Sequence, residues 1–162
     1  MKKSYYPEYD FSSYGNALSR GYRNNNPVNI RIGKSAWQGK ITPSGDTLFE
    51  QFNDMVHGYR AALVLLRNYI KSYGLNTIEK LITRFAPDNE NDTAGYIANV
   101  SRMTGIPKDQ VISRNDRDSL TRIVWAMSQI ENKNTTTTPE GRKALELGLP
   151  DMNIINQAWS IM

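Results

Sequence analysis

A chain of 162 residues, 39% hydrophobic and 22% charged, can bury one real core, and no apolar run approaches the roughly 20 residues that a membrane helix needs. It has no cysteine, which excludes disulfides and thiolate chemistry, and its single histidine, His57, argues against a histidine metal site or a Ser-His triad. The net charge of +4 favours an anionic partner such as cell wall, anionic lipid or nucleic acid, but the basic residues are scattered rather than clustered, which disfavours nucleic acid.

Residues 1–19 are rich in Tyr, Ser and other polar residues and lack periodicity, so they read as an N-terminal arm or irregular lead-in to a single domain over 20–162. Two lysines near the start are followed by no apolar stretch, so no secretory signal is expected. Arg20 to Arg31, RGYRNNNPVNIR, cannot form a regular helix or a central strand, because three Asn and a Pro favour turns. An amide both donates and accepts, which suits sugar hydroxyls and acetamido groups. Asn24, Asn26, Asn29 and Arg31 are therefore candidate ligand contacts, with a plain turn-rich connector as the equal alternative.

Gly33, Gly39, Pro43 and Gly45 punctuate the next stretch, which predicts short strands or loops. Trp37 is expected to anchor this excursion, and Phe49 and Phe52 to join the core.

From Val56 to Tyr73 apolar residues recur at helical spacing, and Gly74 is a natural stop; His57 reads as ordinary surface. Asn76 with Glu79 looks like a capping box for a helix that buries Ile78, Leu81, Ile82 and Phe85 and ends at Ala86-Pro87. Asp92 is the candidate cap of a third helix carrying Tyr96, Ile97, Val100 and Met103, closed by Gly105 and Pro107. Glu90 precedes it on a polar loop, and Lys108 to Ile112 is expected to add a short helical turn.

Asp116 caps a helix to Asn132 in which Leu120, Val124, Met127 and Glu131 share one face. The stripe thus brings a carboxylate onto the buried side, in the last turn, where the helix dipole disfavours negative charge. Burial and dipole both predict a raised pKa, which a general acid needs. The competing reading is that Glu131 simply points into water at a fraying helix end. Beyond it, NKNTTTTP reads as an exposed loop, Pro139 and Gly148 frame a further helix, and Asp151 caps a last one with Met152, Ile155, Trp159 and Met162 on one face. The sum is a mainly α domain.

Several of these pieces together resemble a known family. RNNNPVNIR, Trp37-Gln38-Gly39, Asp46, Phe49, Phe52, Gly58-Tyr59-Arg60-Ala61 and APDNENDTAGY are similar to small phage-borne lysins and virion proteins labelled structural protein P5-like or lysozyme-like. The likeness covers roughly residues 20–132; Val28 stands where that family has Gly, and Glu131-Asn132-Lys133 replaces the usual ENG. IVWAMSQIEN also resembles the catalytic helix of soluble lytic transglycosylases, and ENDTAGY their Glu-Thr-x-x-Tyr segment, but in the opposite order along the chain. A circular permutation of a lysozyme-like core accounts for that order.

The resemblance implies a peptidoglycan-degrading enzyme, a lytic transglycosylase or muramidase, with Glu131 as general acid/base and no metal or cofactor. Glu90 and Tyr96 would line the cleft, and the Asn24–Asn29 loop would hold the glycan. A lytic transglycosylase needs only one carboxylate, because the muramyl C6 hydroxyl attacks in place of water. Glu50 and Asp46 remain the hydrolase-type alternative. The partner would be peptidoglycan glycan strands, and the protein would act as a monomer or within a virion. It would reside in the virion, or in the host cytoplasm before release, and work in the periplasm or cell wall. The runner-up is a non-catalytic virion or cell-wall-binding protein.

Overall fold

The computed structural model describes residues 4–133, Pro139 and residues 152–162. The helix expected from Pro139 to Gly148 and the cap at Asp151 lie outside the described residues. Among the described residues six α-helices run in order: α1 (Arg20–Arg23), α2 (Met55–Tyr73), α3 (Ile78–Phe85), α4 (Thr93–Thr104), α5 (Arg117–Glu131) and α6 (Met152–Ser160). The protein is mainly helical, and among the described residues β-structure is confined to two isolated antiparallel bridges, Arg31 with Phe49 and Lys40 with Phe52. The chain forms two compact units: one built from residues up to Ala62 together with those from Ser128 onward, the other from Leu63–Met127. Helices α2 and α5 each contribute residues to both.

In the first unit the lead-in is irregular, with 3-10 turns at Pro7–Tyr9 and Ser12–Ala17, yet it is packed rather than a free arm. Tyr6, Phe11 and Leu18 are buried, removing about 1.5–3 kcal/mol worth of apolar side chain from water for each. The start of α2 is capped by Asp54, whose Oδ1 accepts the His57 amide at 2.9 Å. His57 is not surface, as its place at a helix start suggested. It is 3% exposed, with Nδ1 3.0 Å from the Asp54 carboxylate and its ring against Gly39, where φ is +77° and a Cβ would lie 2.5 Å from the imidazole. Gly39 is therefore required twice over, by backbone conformation and by space. Helix α6 buries Ile154, Ile155 and Ala158 with Ile161, a face rotated from the expected Met152, Ile155, Trp159 and Met162. The Arg60 guanidinium reaches the Ile161 carbonyl at 3.3 Å and ties that end to α2.

The second unit holds the remainder of α2 with α3, α4 and most of α5. Gly74 ends α2 at φ +65° and Gly105 ends α4 at φ +73°, both left-handed positions that favour glycine. The cap of α3 is Thr77, whose hydroxyl accepts the Lys80 amide at 3.2 Å, one residue beyond the expected Asn76. Asn76 instead offers its carbonyl to the Ile112 amide at 2.8 Å, while the Glu79 amide reaches the Lys108 carbonyl at 3.1 Å. Residues 108–112 accordingly run as a turn and an extended segment, not as a helical turn. Asp92 caps α4 through the Gly95 amide at 3.1 Å, and Asp116 caps α5 through the Ser119 amide at 3.1 Å, as expected. On α5 the stripe Leu120, Ile123, Val124 and Met127 is buried, and the Arg122 guanidinium anchors it to α4 at the Thr104 carbonyl, 2.6 Å away.

Candidate functional site

The arrangement around Glu131 is made by two segments far apart in sequence, the Asn-rich loop and the last turn of α5. Proline and three consecutive Asn keep residues 24–29 out of helix, and the loop takes left-handed backbone at Asn25 (φ +52°) and Asn29 (φ +56°). Asn is among the few side chains that enter this region at modest cost.

Each amide of the loop has its own task. Asn24 donates to Asp46 Oδ2 at 3.0 Å and accepts from Gln51 Nε2 at 3.1 Å. Asn25 accepts the Phe11 amide at 3.0 Å and donates to the Phe52 carbonyl at 3.1 Å. Asn26 accepts the Ile30 amide and donates to the Ile30 and Glu50 carbonyls, all at 2.9 Å. Asn24 and Asn26, expected to hold glycan, are 4% and 0% exposed, and their amides are committed to holding the loop against its neighbours. Asn26, with no exposed surface and both its donor and its acceptor engaged, has nothing left to offer a sugar.

Asn29 differs. It is half-buried, and its Nδ2 donates to Glu131 Oε1 at 2.9 Å. Its Oδ1 is buried and has no donor among the described residues; it lies beside Gly21, where a Cβ would stand 2.8 Å from that oxygen and 2.6 Å from Asn132 Oδ1. Glu131 is itself half-buried at the end of α5. The next residue, Asn132, donates to the Pro27 carbonyl at 2.7 Å and the Ser128 carbonyl at 2.9 Å, and accepts from the Ser19 hydroxyl at 2.6 Å. One residue upstream of the last turn, the Ser128 hydroxyl receives the Tyr59 phenol at 3.1 Å. Beside it, burial pushes the Tyr22 phenol well above its ordinary value.

Two other carboxylates of this unit, Asp46 and Glu50, are engaged with cations. Asp46 takes both guanidinium nitrogens of Arg20 at 2.7 Å and caps the turn at Leu48 and Phe49, and the Arg20 bond holds its carboxyl far below the usual range. Glu50 is 1% exposed and pairs with Lys40 at 3.2 Å. Arg31 is exposed and lies over the Phe49 ring at 5.8 Å, with Arg20 over the same ring at 4.7 Å. Phe49 is only half-buried, whereas Phe52 is fully so.

Glu90 and Tyr96 belong to the second unit. Glu90 is exposed on the loop before α4. Tyr96 is buried on α4 with its ring edge-on to Phe85, centroids 6.5 Å apart. Among the described residues no group of three His, Cys, Asp or Glu could hold a metal ion, and no helix is long and apolar enough to cross a membrane. The positions missed from sequence are Ser19, Gly21 and Asn132. For Asn132 a signal existed, since it directly follows Glu131; for Ser19 and Gly21 nothing local marks them.

No family model matches the chain. It is 42% identical over 142 residues to Protein P5 of Pseudoalteromonas phage PM2, an overlap of 85% of this chain and 87% of that protein.

Proposed function

We propose that this chain, which belongs to the family of phage Protein P5, is a phage peptidoglycan-cleaving enzyme of lysozyme-like, circularly permuted fold, acting as a lytic transglycosylase on the MurNAc–GlcNAc bond. The observation that carries the reading is Glu131: a half-buried carboxyl at the end of α5, held on one oxygen by the Asn29 amide. In this reaction Glu131 gives its proton to the glycosidic oxygen as the C1–O bond breaks and GlcNAc leaves with a free hydroxyl. The resulting carboxylate takes the proton of the muramyl C6 hydroxyl, whose oxygen closes on C1 to form the 1,6-anhydro ring. The proton returns to Glu131, so one residue completes the cycle without a second carboxylate. That Asp46 and Glu50 are engaged with Arg20 and Lys40 supports this single-acid route over a paired-carboxylate hydrolase.

Arg31 is exposed, and its positive charge suits the anionic stem-peptide carboxylates of the wall. The test is digestion of purified peptidoglycan followed by mass spectrometry. Anhydromuropeptides, lighter by one water than the hydrolytic products, support the transglycosylase. Reducing-end products would make it a muramidase. Undigested wall that nonetheless retains the protein would leave the second reading, a virion protein that binds wall without cutting it.

A further inference from the structure

We infer that Asn29 is the positioning residue of Glu131 rather than a glycan ligand: its amide fixes which carboxyl oxygen carries the transferable proton. This rests on Glu131 as the acid, but the geometry behind it is independent of any activity. The amide Nδ2 has only hydrogens to offer, so its bond to Oε1 at 2.9 Å makes Oε1 the accepting, carbonyl-like oxygen. When the carboxyl is protonated, the proton is then left to Oε2.

The frame around Asn29 is rigid on every side. Its own amide closes a turn onto the Asn26 carbonyl at 3.1 Å. The following residue, Ile30, is gripped at both N–H and C=O by the Asn26 side chain. Two residues before it, the Pro27 carbonyl is held by Asn132, the neighbour of the acid. Loop and helix end are thus joined at two adjacent points, Pro27 to Asn132 and Asn29 to Glu131, so neither side chain of the pair can swing without moving the other.

Two unfavourable features coincide at this one residue. Asn29 has left-handed backbone, and its Oδ1 is buried with no donor among the described residues. With Glu131 ionised, turning the amide over would bring Oδ1 onto a carboxylate oxygen, which is repulsive, so in that state the orphan acceptor follows from aiming the donor at Glu131. Gly21 makes the arrangement possible, since any Cβ there would collide with Oδ1. Such local costs persist where a site requires the geometry they produce.

The experiment is a double-mutant cycle on stability, together with steady-state kinetics on solubilised glycan strands. Asn29→Gly removes the amide while keeping the positive φ comfortable, so the fold survives; Glu131→Ala removes its partner. The two substitutions are expected to couple by about tenfold or more in the folding equilibrium, the size of a hydrogen bond to a charged group. Asn29→Gly is expected to lower kcat by about tenfold or more with KM nearly unchanged, and Asn29→Asp, which keeps the shape but loses the donor, should not restore it. Additive stabilities would overturn the inference. So would a raised KM at constant kcat, which would return Asn29 to glycan binding. Coupling in a protein whose wild type cuts no glycan supports the lock between the two residues and refutes the proposed function instead.

Discussion

One carboxylate, Asp54, receives the backbone amide of His57 on Oδ1 and that of Tyr6, 48 residues earlier in the chain, on Oδ2, each at 2.9 Å. A helix cap and the anchor of the N-terminal lead-in are therefore the same group, with the His57 ring closing on both oxygens at 3.0 Å. Asp54→Ala should lower stability by about 3 kcal/mol, from the lost cap and the stranded Tyr6 amide. It should also release the lead-in, so that chymotrypsin cuts at Tyr5 or Tyr9 under native conditions. Cleavage no faster than in the wild type would show that the lead-in is held by its apolar contacts alone.

Asn26→Ala tests whether the loop amides are structural. The substitution leaves the Ile30 amide without its partner, and takes a donor from the Ile30 and Glu50 carbonyls, all inside the protein. At about 1–3 kcal/mol for each stranded buried group, the expected loss is about 3 kcal/mol or more, read from urea unfolding. A glycan-contacting Asn26 would instead leave the unfolding curve in place and weaken only wall binding.

Glu131→Gln keeps the shape and an acceptor for Asn29 while removing the transferable proton. Lysis of purified walls should fall by about 10²-fold or more, with a melting temperature close to the wild type. Glu50→Gln should act in the opposite way, because it leaves half-buried Lys40 without its counter-charge: stability falls and activity follows only as far as the fold does. An active Glu131→Gln protein would reject the acid assignment.

Acid stability should depend on Asp46. Its bond to Arg20 holds the folded-state carboxyl below its unfolded value of about 3.9, so the unfolded chain takes up the proton first as pH falls. The pair's contribution is therefore complete above roughly pH 5 and is lost progressively below about pH 4. Asp46→Asn removes that dependence: urea midpoints measured at pH 7 and pH 3 should lie closer together than in the wild type. Equal pH sensitivity in the two proteins would place the acid-labile group elsewhere.

The long helices were legible because their signals are local. The stripe along α5, the caps at Asp92 and Asp116 and the stops at Gly74 and Gly105 each depend on residues within a few positions of one another. The face of α6 was misread because four apolar candidates in so short a helix fit two adjacent stripes equally well. His57 was misread because its neighbours in space, Gly39 and Tyr6, are far from it in sequence. The Asn-rich loop was recognised as unusual, but not its division of labour. A sequence shows that Asn26 and Asn29 are both amides; only the tertiary frame decides that one is sealed inside while the other meets Glu131 from 102 positions away.

That separation also sets an order in time. A ribosome adding roughly 5–20 residues per second completes the Asn-rich loop several seconds before it reaches the end of α5. Through that interval the residues that Asn25 and Asn26 bond in the finished protein, Phe52 and Glu50, are soon made, but neither the carboxyl nor the Asn132 clamp that Asn29 and Pro27 face is. A chain interrupted anywhere before residue 131 carries the scaffold without the acid. In the proposed enzyme, then, the power to cut is the last thing the described site receives, and fragments from aborted synthesis are harmless to the wall of the cell that makes them.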